Sequence, residues 1–105
     1  MNILFDHGTP VPLRATLVDH RVETAYERGW ATLSNGALLA AAEGASFDVL
    51  ITTDQNLPNQ QNLTRRSLAV IVLPTTDWRQ IREHLDSIAL ALKSVQRGEA
   101  VRVSW

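Results

Sequence analysis

The chain has 105 residues and a mass of 11.7 kDa; 45% of its residues are hydrophobic and 20% charged, with ten Lys plus Arg against eleven Asp plus Glu and no cysteine. That length fits one domain, residues 1–105, with enough apolar mass for one core and too little for two. The hydrophobic share excludes disorder, a net charge of -1 excludes the broad basic face of a general polyanion binder, and the lack of cysteine excludes disulfides, thiolate zinc sites and cysteine nucleophiles.

In chain order, Asn2 to Phe5 is a short apolar run without polar alternation, as expected of a strand covered on both faces. Thr9 is placed to cap a helix whose first turn holds Pro10 and Pro12, where a missing N–H costs nothing. Arg21 to Ala25 is a weaker strand candidate. Ser34 caps a second helix over Gly36 to Ala45, whose apolar side is mostly small residues suited to close packing on a sheet. Val49 to Ile51 and Leu68 to Leu73 are two further buried-strand runs, separated by the amide-rich stretch Gln55 to Asn62, read as a turn or short irregular helix. From Trp78 to Val95, apolar residues recur at three- and four-residue steps (Trp78, Ile81, Leu85, Ile88, Ala89, Leu92, Val95) and predict one long helix, capped by Thr76 or Asp77 and followed by Gly98 as a stop. Val101-Arg102-Val103 alternates like a short edge strand. Strands alternating with helices in this way predict a three-layer α/β/α sandwich around a largely parallel sheet.

No apolar run approaches the roughly 20 residues that span a bilayer, and Asp6 ends the first one before it can resemble a leader, so the expectation is a cytoplasmic protein with no membrane role. Asn62-Leu63-Thr64 has the form of a glycosylation acceptor, which carries meaning only in a secreted chain.

Ligands of open parallel sheets collect outside the carboxyl ends of the strands, and two acids follow strand ends directly: Asp6 after the first run and Asp54 after Thr52-Thr53. If those strands are neighbours, the pair faces one crevice and offers the oxygen ligands that a hard cation such as Mg²⁺ takes. For each acid taken alone, a helix cap is the simpler reading.

At Asp6-His7-Gly8-Thr9-Pro10, Glu27-Arg28-Gly29-Trp30, Ser34-Asn35 and Leu50-Ile51-Thr52-Thr53-Asp54-Gln55-Asn56-Leu57, the chain resembles the small PIN-like proteins related to toxin-type ribonucleases, over about Asn2 to Leu73. The resemblance implies a PIN-like fold, a Mg²⁺- or Mn²⁺-dependent phosphodiesterase site cleaving RNA, and a cognate antitoxin protein as partner. It places the site at Asp6, Asp54, Asn35 and Asn56, with Asp6 and Asp54 as metal ligands. The family pattern carries acids where this chain has Asn35 and Asn56, so two of four expected carboxylates are amides. Four clustered carboxylates repel by about 1 to 4 kcal/mol per close pair and need cations to hold them. The amide-substituted set carries a charge of about -2 and neutralises at most one divalent ion, whereas the two-metal route to phosphodiester cleavage uses two. A ribonuclease with a depleted site and a catalytically inactive module binding RNA or a protein partner are therefore both open. A nucleotide-dependent enzyme would need a glycine-rich phosphate loop, and Gly8 with Pro10 and Pro12 does not supply one.

Candidate RNA contacts are Arg14 on the first helix and Arg65 and Arg66 downstream of Asp54, with Arg28 and Trp30 as a further cation and stacking platform. His7 beside Asp6 offers a general base, although neighbours in extended chain point to opposite sides and its simpler reading is a loop contact. His20 and His84 are expected to face solvent. Trp78 and Trp105 are candidates for burial in a homodimer.

Overall fold

The computed structural model describes residues 1–105. The apolar runs form strands whose neighbouring side chains divide strictly between two faces, because the side-chain period of a strand is two. Strand β1 (Asn2–Phe5) sends Ile3 and Phe5 to one side and Leu4 to the other. Strand β3 (Val49–Thr52) divides Val49 and Ile51 from Leu50, and β4 (Ala69–Val72) divides Ala69 and Ile71 from Val70 and Val72. With both faces covered, no position in these runs tolerates a polar side chain except at the ends. That is why they read as continuous hydrophobic sequence.

Strands β2 (Arg21–Thr24) and β5 (Ala100–Arg102) complete a five-stranded sheet in the order β2-β1-β3-β4-β5, and every pairing is parallel. Helices α1 (Asn35–Gly44) and α2 (Leu57–Gln60) cover one face, packing Leu38, Leu39, Ala42 and Leu57 over Leu4, Leu50 and Val70. The 3₁₀ helix Val11–Thr16 and helices α3 (Trp78–Ile81) and α4 (Leu85–Ser94) cover the other, through Leu13, Ile81, Ile88 and Leu92. The architecture is thus the expected three-layer α/β/α sandwich with a parallel sheet. No helix is long and apolar enough to cross a membrane.

Two local expectations are corrected. The helix predicted over Trp78 to Val95 is two helices: Glu83 and His84 donate to Gln80 and Ile81 in tightened i to i−3 bonds, and His84 then leaves helical geometry at φ −129°, ψ 33°. The His84 ring stacks on Trp105 with centroids 4.5 Å apart and planes 7° from parallel, which ties the break to the chain terminus. Ile81, Leu85 and Ile88 keep the same spacing through the break, so periodicity cannot show it. The second correction is at Thr9. The helix after β1 is a 3₁₀ segment whose cap position is Pro10, with no side-chain cap. The Thr9 hydroxyl is engaged elsewhere, with Asp6 and the Ile51 carbonyl.

Candidate acidic site

Strand order turns at β1. The chain goes from β1 outward to β2, then returns across β1 to β3 and continues to β4 and β5. The crossovers therefore leave β1 and β3 in opposite directions and open a crevice at their carboxyl ends. Asp6 and Asp54 stand at those two ends and line one crevice of about 320 Å³.

Asp6 is held from both sides. Its Oδ1 lies 3.0 Å from the Thr9 hydroxyl, and its Oδ2 accepts from the hydroxyl of Thr52, a fully buried residue. Thr52 Oγ1 in turn accepts the Asp54 backbone N–H at 3.0 Å, so one hydroxyl bridges the loops that carry the two acids. A Cβ at Gly8 would overlap Thr53 Oγ1, so a side chain there would require Thr53 to rotate away.

Asp54 is held by amides. Asn35 Nδ2 donates to its Oδ2 at 3.0 Å, and the Asn56 backbone N–H donates to its Oδ1 at 2.9 Å. An ionised carboxylate only accepts, which fixes the Asn35 amide with its nitrogen toward Asp54. The Asn35 side chain first, then the backbone N–H groups of Asn56 and Leu57, hold the Asp54 carboxyl below the ordinary aspartate value, against a smaller opposing effect of burial. Asn35 reaches this position because Ser34 caps α1, its hydroxyl accepting from Ala37 N, so the helix begins beside the end of β3.

The four predicted site residues are therefore not equivalent. Asp6, Asp54 and Asn35 line the crevice. Asn56 is exposed at the start of α2; its backbone contacts Asp54, while its side chain makes no hydrogen bond and stays outside the crevice lining. His7 is exposed and borders the crevice beside Asp6. The lining also includes the apolar residues Ala25, Trp30, Leu33 and Leu38.

The structure does not gather the predicted arginines around the acids. Arg66 pairs with Glu43 near the end of α1, beside the amino end of β4. Arg65 precedes it in the same segment, because the β3 to β4 crossover returns the chain to the amino end of a parallel sheet before β4 begins. Arg14 forms a two-pronged pair with Glu27, at 2.7 and 3.3 Å. Arg28 pairs with Glu23 and lies over the rings of Trp30 and Phe47, 5.4 and 5.0 Å from their centroids.

Thr9, Thr52 and Thr53 are the site residues that sequence reasoning missed. The polar Thr-Thr step closing an otherwise apolar strand directly before Asp54 was the available signal. Arg102 also escaped notice; at the end of β5 its guanidinium lies 3.3 Å from Gln55 Oε1, next to Asp54 in the chain.

Two carboxylates and an amide oxygen are ligand types that a hard divalent cation takes. The carboxylates of Asp6 and Asp54 keep lone-pair capacity beyond the hydrogen bonds above, and the Asn35 carbonyl oxygen is a further, neutral oxygen nearby. No group of three or more His, Cys, Asp or Glu side chains assembles anywhere in the molecule. The chain matches no protein-family model, no curated protein and no solved structure.

Proposed function

We propose that this chain is a PIN-like domain of the toxin-type ribonuclease class, with a one-cation site formed by Asp6 and Asp54. The observation that carries this reading is the meeting of the two acids in one crevice at the strand-order turn between β1 and β3. Mg²⁺ or Mn²⁺ held there supplies neutralisation and polarisation of an RNA phosphodiester. Thr9 and Thr52 keep the Asp6 carboxylate oriented toward that position, and Asn35 does the same for Asp54 while keeping it ionised. His7 contributes the one imidazole of the crevice, able to accept or return a proton. Trp30 and Leu33 supply the apolar lining against which an unpaired base would rest. An RNA partner, a protein antitoxin and a cytoplasmic setting belong to the same reading. The test is cleavage of single-stranded RNA in Mn²⁺. Activity that is lost on Asp6→Asn supports the proposal, and no cleavage by the folded wild type refutes the enzymatic reading.

The Asn35 contact favours a second reading, a non-catalytic module of the same fold. An amide N–H satisfies Asp54 in the direction where a second acid would require a cation. Asn35→Asp with Asn56→Asp separates the two. Cleavage appearing only in the double variant supports the inactive module, and equal cleavage with and without it shows that the amides suffice.

A further inference from the structure

Helix α4 buries Ile88, Ala91 and Leu92 against the sheet and leaves Asp86, Ala89, Leu90 and Lys93 exposed. These four follow the i, i+3, i+4, i+7 spacing of one helical face, so the outer surface carries an apolar centre with an acid before it and a base after it. Leu90 is 66% exposed, a large apolar side chain in water on a helix whose core side is already complete. The apolar surface extends sideways, because a groove beside α4 is lined by Ala89, Leu92 and Val18, the last 82% exposed. Neither Asp86 nor Lys93 joins any of the four intramolecular ion pairs.

We infer that this face seats a second copy of the chain, with the two α4 helices antiparallel about a twofold axis between Ala89 and Leu90. In that arrangement each residue faces the one whose number brings the sum to 179: 86 + 93 for the charges and 89 + 90 for the apolar pair. Asp86 then meets Lys93 of the second copy twice, once at each end, and Leu90 packs on the small Ala89. This is the self-complementarity that a twofold interface requires. The acid sits in the first turn of the helix and the base in the last, each where the helix dipole favours it. A parallel pairing in register would instead set Asp86 on Asp86 and Lys93 on Lys93. The tryptophans do not compete for the role of anchor, because Trp78 packs on the core and Trp105 on His84.

The experiment is sedimentation velocity over a concentration series on the full chain, with melting curves to confirm that each variant is folded. The wild type dimerises as concentration rises, and Leu90→Glu weakens the dimer by roughly tenfold or more, as placing a charge in an apolar contact should. Asp86→Lys alone and Lys93→Glu alone each turn two attractions into two repulsions and shift the protein to monomer. Mixed one to one, these two variants regain both attractions and form a heterodimer near wild-type strength. A wild type that stays monomeric into the millimolar range overturns the inference. So does a dimer indifferent to Leu90→Glu, or a mixture of folded charge variants that fails to associate.

Discussion

Two acid sites at opposite ends of the sheet, Glu43 and the Asp6–Asp54 pair, are held by different means. At the amino end, Glu43 has a full cation: the Arg66 guanidinium pairs with it, while Ser67 donates both its N–H and its hydroxyl. The Ser67 N–H first, and Arg66 second, hold the Glu43 carboxyl below its ordinary value. In the crevice, Asp6 and Asp54 have only hydroxyl and amide donors, and Arg14 and Arg28 are committed to Glu27 and Glu23. Dipoles orient an acid without neutralising it. Glu43 is therefore balanced within the chain, whereas the crevice keeps negative charge available to a ligand.

The largest expected effect comes from adding charge to the crevice. Asn35→Asp puts a carboxylate where an amide now donates at 3.0 Å, costing about 1 to 4 kcal/mol by Coulomb repulsion at pH 7. Repulsion raises a folded-state pKa of the pair, so the penalty is full above that value and fades as pH falls toward the unfolded value. Urea denaturation at pH 7 and at acid pH, with and without Mn²⁺, checks both features; Mn²⁺ should restore most of the loss. Thr52→Val comes next. It removes the hydroxyl that joins Asp6 Oδ2 to the Asp54 N–H, and with Thr52 fully buried it should cost about 2 kcal/mol. Freed from that bridge, the acid pair should bind Mn²⁺ about tenfold more weakly.

At the balanced site, Glu43→Gln should cost about 1 kcal/mol, because the pair is partly exposed and the Ser67 contacts survive in part. The depressed Glu43 pKa means that its stabilisation is present above the unfolded value and is lost as pH falls through the folded one. The variant should therefore show a flatter loss of stability below about pH 4.5 and an unchanged Mn²⁺ titration. The smallest change belongs to Arg28→Ala, at about 0.5 to 1 kcal/mol, from losing its position over Trp30 and Phe47.

The layered fold was legible because burial on both faces leaves a direct mark, the unbroken apolar runs that became β1, β3 and β4. Ser34 was legible for a similar reason, since a cap hydroxyl acts on backbone three residues away. Position across the sheet was not. Arg65 and Arg66 follow Asp54 by about a dozen residues, yet a parallel crossover spends that length returning to the opposite end. The role of Thr52 was hidden because its partner, Asp6, comes from another strand end, and that of Thr9 because a hydroxyl suits a cap as well as a carboxylate. The same ambiguity covered Asn35. Its amide can offer oxygen to a cation or nitrogen to an acid, and only the neighbouring Asp54 decides.

Counting Mn²⁺ bound to the purified chain, by isothermal titration at neutral pH, puts the unbalanced crevice to the test. One ion per chain is expected, with binding lost in Asp6→Asn and in Asp54→Asn and retained in Glu43→Gln. A folded wild type that binds no Mn²⁺, or binds it equally well after either aspartate is replaced, would contradict a cation site between Asp6 and Asp54.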